Sequence, residues 1–183
     1  MAGQIQQEMK TDTPPKQARR RDGETELLRF LLKLCAAAII GWAILTFVLG
    51  IYVVHGNDMY PALRDGDLCI TWRLSEPGYG DIVAYDCDGV RRFGRVVGMP
   101  GDVIDIDDSG SYTLNGGVPD ETVYYETRKD PEITQFYPST VGDQGVFLMN
   151  DYRENTFDSR RFGTIPLSFT DGSVAILFRR RNW

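Results

Sequence analysis

Residues 56–67 read GNDMYPALRDGD, and the parsing of this stretch decides the fold. Gly56-Asn57 is turn chemistry, Met59-Tyr60-Pro61 combines core and turn residues, and Asp58 on its own reads as an aspartate in a turn. The stretch separates two different patterns. Upstream, residues 34–54 contain no charged side chain. Downstream, Leu68, Ile70, Trp72 and Leu74 alternate with Cys69, Thr71 and Arg73, which is the period of a strand.

The apolar run is long enough to cross a hydrocarbon core at ~1.5 Å per residue. A cleavable signal peptide would have a shorter apolar region ending in small residues, and here Ala36, Ala37 and Ala38 stand near its start. The run therefore predicts a transmembrane helix over 34–54. Lys10, Lys16, Arg19, Arg20, Arg21, Arg29 and Lys33 precede it, whereas Asp58, Asp65 and Asp67 follow, so the positive-inside rule places the N-terminus in the cytoplasm. Residues 1–33 then form a cytoplasmic basic tail, largely disordered and in contact with anionic membrane lipid, and residues 55–183 form a domain outside the plasma membrane. A chain of 183 residues has room for one modest domain besides the anchor.

The formal charge of -6 is concentrated in the outer part, which argues against nucleic acid as a partner. No metal or cofactor is expected, because His55 is the only histidine and no Cys/His spacing suggests ligands. Cys35 lies in the apolar run. Cys69 and Cys87 fall on two predicted strands, where either a bridge between neighbouring strands or two reduced thiols fits. Val174, Ile176 and Phe178 alternate near the end, Gly/Pro/Asp turns separate such segments, and no long amphipathic helix is legible beyond residue 54. The outer domain is accordingly mainly β. Its least regular section is 107–145, with Gly116-Gly117, Pro119, Pro131 and Pro138.

Three further blocks follow the first in order: GDIV at 80–83, GRVVGMPGD at 94–102 and NDYRENTFDSRRFGTIP at 150–166. Together the four resemble the type I signal peptidases, membrane serine proteases with a Gly-x-Ser-Met-x-Pro-x-Leu nucleophile segment. Their later blocks are Gly-Asp-Ile-Val, Lys-Arg running to Gly-x-Pro-Gly-Asp, and Gly-Asp-Asn-Arg-x-x-Ser-x-Asp-Ser-Arg. The resemblance implies a coiled β-sheet architecture behind one N-terminal transmembrane helix. It also places Asp58 at the nucleophilic serine and Gly94 at the general-base lysine, so no catalytic residues are expected. The last block departs from the family at Asn150, Tyr152 and Thr156, of which Thr156 keeps a hydroxyl.

Peptide hydrolysis by a Ser/Lys pair needs a hydroxyl to attack and a neutral amine to take its proton. A carboxylate at 58 is a weak nucleophile toward an amide, and a glycine at 94 has no base. Positioning alone leaves roughly a thousand- to ten-thousandfold over water, too slow for secretion. Arg92 shares a strand face with Gly94 and is the cation predicted to pair with Asp58, though an arginine cannot act as base. An Asp58/Asp158 pair sharing a proton is the weaker alternative, since the resemblance makes Asp158 the partner of Arg153 or Arg160.

The predicted partner cleft comprises Asp58, Met59, Tyr60, Pro61, Arg92, Gly94 and Arg95, and the predicted site scaffold comprises Asp151, Arg153, Thr156, Asp158 and Arg160. Extended peptide can pair with strand edges without any dyad. The dyad replacement further resembles that of signal-peptidase-like proteins associated with Gram-positive pili. What this implies is a non-catalytic assembly factor or chaperone for pilins or other secreted precursors, with sortase as a candidate partner. An active signal peptidase with non-standard residues and a regulatory subunit of a peptidase or sortase are the alternatives.

Overall fold

The computed structural model describes residues 16–132 and 137–179, so the start of the basic tail lies outside the described residues. The chain forms two compact units, residues 1–43 and 44–183. Helix α1, Lys16–Phe47, contains one segment, Thr25–Phe47, long and apolar enough to cross a membrane. Two boundaries differ from the sequence reading. Residues 16–33 are helical rather than disordered, because Glu, Leu, Lys and Arg in this stretch are strong helix formers and Arg29 and Lys33 do not interrupt them. At the other end the helix stops at Phe47, and β1, Leu49–Val53, follows it. A continuously apolar run does not distinguish helix from strand, and the β-branched and aromatic residues after Gly50 favour the strand.

The second unit is mainly β. Besides β1, its main sheet uses β2 (Leu68–Trp72), β3 (Ile82–Cys87), β4 (Val90–Gly98), β8 (Gly145–Met149), β9 (Ile165–Pro166) and β10 (Thr170–Phe178), in the order β1-β2-β10-β3-β4-β8-β9. Strands β5 (Val103–Ile106), β6 (Tyr112–Leu114) and β7 (Ser139–Thr140) form a smaller sheet in the order β6-β5-β7. It falls within the section that read as least regular. A single turn of helix, α2 (Ser159–Phe162), separates β8 from β9.

Strand β4 distributes the core, because its side chains alternate between faces. Phe93 packs with Val54, Met59, Leu63, Cys69 and Ala84. Val97 joins Ile104, Ile106, Tyr112 and Phe147 beneath the small sheet. On the opposite face Val96 packs with Val83, Tyr85, Val146, Leu148 and Ile165.

In β2 the buried residues are Cys69 and Thr71, while the bulky alternates point outward. Register aligns Ile51, Ile70 and Ile176 across three strands, and Val53, Leu68 and Phe178 beside them. Ile51, Val53, Ile176 and Phe178 are each about half exposed, so this sheet face is an apolar surface. Cys69 and Cys87 are both free, since β10 separates their strands. The bridge left open by the sequence is not formed. Burial and then Asp67 push the Cys69 thiol up to about 11.

Candidate functional site

Asp58 is held by the segment that follows β8. Asn155 Nδ2 donates to Asp58 Oδ1 at 2.8 Å, and Tyr152 N–H donates to the Asp58 carbonyl at 2.9 Å. That segment is itself organised by a buried ion pair. Asp158 caps α2, and its Oδ1 accepts from Arg160 N and Arg160 Nε, both at 2.9 Å. Its Oδ2 accepts from Arg160 Nη2 at 2.7 Å and Asn150 N–H at 2.8 Å. Both residues are fully buried. Arg160 uses its remaining donors on the carbonyls of Arg128, Arg153 and Asn155. A carboxylate so fully occupied is a structural ion partner, not half of a proton-sharing pair with Asp58.

Arg153 does not share Asp158. It reaches Glu121 with Nη2 at 2.9 Å to each carboxylate oxygen, and contacts Thr127 and Met149. Thr156 Oγ1 donates to Asp130 Oδ2 at 3.0 Å, where Arg161 Nε also binds at 2.8 Å. Burial raises the Asp130 carboxyl, but hydrogen bonds from Arg161, Glu132 N–H and Thr156 outweigh it and hold the group below the ordinary carboxylate range. Asp158 and Arg160 thus bind the segment to itself, while Asp151, Arg153 and Thr156 tie it to Arg95, Glu121 and Asp130.

The position of the expected base is closed. A β-carbon at Gly94 would lie 3.0 Å from Leu148 Cβ and 3.3 Å from Tyr85 Cε1. Tyr85 follows from register, because it pairs with Arg92 and projects onto the same face as Gly94. It is fully buried and its hydroxyl has no hydrogen-bond partner. Burial first, then Asp158, push its phenol well above the ordinary range against the pull of Arg92, with Cys87 and Asp58 adding to the rise.

Arg92 lies on this face as its spacing predicted, but the expected pair with Asp58 is not formed. Its guanidinium stacks 4.3 Å from the centroid of Phe157, and Asp58 bonds Asn155 instead. The neutral amide reaches Asp58 from a loop that spacing along β4 could not bring into account.

The other face of β4 opens on a groove of about 780 Å³, bordered by Pro61, Tyr79, Arg95, Tyr112, Glu121 and Tyr124 among others. Arg95 forms a fork with Asp151 at 2.6 and 2.5 Å and donates to the Gly80 carbonyl at 2.6 Å. The Asp151 hydrogen bond foremost, with the charges of Asp151, Glu121 and Asp81, pushes the Arg95 guanidinium still higher against the effect of burial.

Of the predicted cleft residues, Pro61 and Arg95 line this groove, and Tyr60 is exposed with Arg64 stacked on it at 5.3 Å. Met59 is a core residue, 2% exposed, and Gly94 faces Tyr85. These two are corrected from cleft to interior, because alternation along β4 and the turn of 56–67 send them inward. Asn155, Tyr85, Leu148 and Glu121 were not singled out from sequence. Only the strand pairing and the loop closure reveal them.

A β domain following an apolar helix, with the four motif blocks assembled around residues 58, 94 and 150–162, defines a signal-peptidase scaffold. The family model described as "Signal peptidase, peptidase S26" matches residues 27–178, and the chain belongs to this family. It is 30% identical over 168 residues to Signal peptidase I of Bacillus licheniformis, covering 85% of this chain and 90% of that protein. Signal peptidase I S of Bacillus subtilis (strain 168) is 30% identical over 146 residues, with 73% and 78% covered. A protein named "Inactive signal peptidase IA" from Staphylococcus aureus is 25% identical over 162 residues, with 84% and 92% covered. The crystal structure of a signal peptidase I from Enterococcus faecalis V583 superposes with a TM-score of 0.46 at 24% identity, over 55% of this chain and 98% of that one.

Proposed function

We propose that this protein is a non-catalytic member of the signal peptidase I family that holds secreted precursor polypeptides at the outer face of the plasma membrane. The observation that carries the reading is the packing at Gly94: there is no side chain to act as base, and even a β-carbon there would press on Leu148 and Tyr85. Asp58 supplies no hydroxyl, and an arginine in the neighbouring strand position stays protonated. The open groove beside Arg95 and Pro61 supports retained polypeptide binding, which needs main-chain pairing and pockets but no dyad.

The apolar helix supports a membrane anchor, and the exposed apolar sheet face supports residence beside lipid. The basic flank before the helix favours a cytoplasmic N-terminus. Within this reading the clients are pilin precursors, by the resemblance of the dyad replacement, with sortase acting in the same assembly.

The test is cleavage of a precursor carrying an ordinary signal peptide by the full-length protein in membranes. No product is expected from wild type. Product that disappears in Asp58→Ala would establish an active peptidase with unconventional residues and overturn the proposal.

A further inference from the structure

The groove beside β4 is lined by two guanidiniums, and both are already occupied. Arg95 is forked onto Asp151, and Arg153 holds Glu121 with Nη2 at 2.9 Å to each oxygen. An acidic ligand side chain would find no free cation there. A third carboxylate, Asp120, borders the same groove, is exposed, and has no ion pair or side-chain hydrogen bond among the described residues. The lining therefore holds one more carboxylate than it has cations to neutralise, and its surplus charge is negative.

A lone exposed carboxylate is ordinarily just solvated. What distinguishes Asp120 is the company it keeps. Tyr79 and Tyr124, from separate segments, border the groove and are 57% and 68% exposed. The Tyr79 hydroxyl donates to Asp102, which also accepts from Asn115 Nδ2 and Met99 N–H, so this ring is pinned in place while most of it stays open. Aromatic faces attract ammonium and guanidinium groups and repel carboxylates. Pro61, Leu114 and Val123 add apolar surface of the kind that a methylene stem covers. Surplus negative charge, exposed rings and an apolar lining together suit a cation carried on an aliphatic stem.

We propose that this groove receives a lysine or arginine side chain of the polypeptide the protein holds, with Asp120 as its charge partner and Tyr79 and Tyr124 against its stem. The inference rests on the polypeptide-holding reading above and deepens it, by giving the client a basic residue at one fixed place along its extended segment. The groove lies on the face of β4 opposite Gly94, so the basic residue is read apart from the vacated dyad position.

The test uses full-length protein in phosphatidylcholine nanodiscs, with empty discs as counter-selection. Two libraries of random C-amidated decapeptides are compared, one N-acetylated and one with a free N-terminal amine. Wild type is expected to select Lys or Arg at a fixed position from the acetylated library. Asp120→Asn should lose that enrichment and bind the selected peptides about fivefold more weakly, the scale of one exposed ion pair. Asp143→Asn makes the same change of net charge at an exposed residue that does not border the groove, and should leave the selection unchanged. An unshifted circular-dichroism melt of Asp120→Asn separates lost recognition from lost folding.

Peptides selected without a positional base, or a profile that Asp120→Asn leaves intact, overturn the proposal while the polypeptide-holding reading stands. Equal losses in Asp120→Asn and Asp143→Asn overturn it too, because the attraction is then the charge of the whole domain. Enrichment confined to the free-amine library does the same, since the bound cation is then a chain terminus. A selection that yields no peptide at all overturns both the holding reading and this one. Cleavage of selected peptides by wild type would sink the non-catalytic reading and leave the basic preference standing.

Discussion

A methyl group placed on Gly94 would meet Leu148 Cβ at 3.0 Å and Tyr85 Cε1 at 3.3 Å, and two effects compete over the result. Replacing a strand glycine by alanine gains roughly 0.5–1 kcal/mol of backbone entropy. Overpacking a full core typically costs about 1–3 kcal/mol. The second effect wins here, because one contact is with a Cβ, which moves only with its strand. Gly94→Ala is therefore expected to lower unfolding stability by about 1 kcal/mol in denaturant titration, and a variant as stable as wild type would show that the space is free. Gly94→Lys must cost more. The same contacts predict that Asp58→Ser with Gly94→Lys alone gives no peptidase, and that activity requires a smaller residue at 85 as well. Peptidase activity in the double variant with Tyr85 intact would refute this.

Among the elements, the 150–162 segment with α2 depends on one arginine. Arg160 ties Asp158 to the carbonyls of Arg128, Arg153 and Asn155, all through donors that no solvent replaces. Arg160→Ala leaves Asp158 buried without its charge partner, which costs about 3–5 kcal/mol. Arg95→Ala breaks a similar fork with Asp151 nearer solvent, and its cost should be smaller. Thermal melts of the two variants are expected to rank in that order, and an equal or reversed ranking would count against Arg160 as the organiser.

The Asp158–Arg160 pair was legible in the Asp-x-Arg spacing, because short motifs encode local caps and forks. Arg153 joining Glu121 was not legible, since the two stand 32 positions apart with β7 and β8 between them. The same distinction covers the helix end. Charge and hydropathy mark an apolar segment, but only pairing with β2 turns Leu49–Val53 into a strand. Tyr85 escaped notice for a similar reason: its importance comes from its neighbour across the register, and no motif includes it.

Across the whole β domain, carboxyl groups with opposed shifts decide the response to acid. Burial raises Asp102, but hydrogen bonds from Tyr79, Asn115 Nδ2 and Met99 N–H outweigh that and hold it below the ordinary range. Asp130 is held low in the same way, as shown above. For a depressed carboxyl the folded state prefers the ionised form, so its stabilisation is fully present above the unfolded value near 3.9 and is lost as pH falls through the lower folded value. Asp171 runs the other way, because burial raises it. Acid therefore relieves a cost there, although Arg73 and Arg91 both contact that carboxylate.

The depressed groups outnumber the raised one and tie down separate regions, Asp102 the turn before β5 and Asp130 the loop against α2. Net stability should accordingly be steady near neutrality and decline below about pH 4. Asp130→Asn lowers stability at pH 7 and flattens that decline, whereas Asp171→Asn steepens it, because the one opposing group is gone. Melting temperatures of the three proteins between pH 3 and 7 would check both slopes. An acid slope left unchanged by Asp130→Asn would mean that this loop contributes no proton linkage, and that the decline arises at the other depressed carboxyls, Asp102 and Asp107.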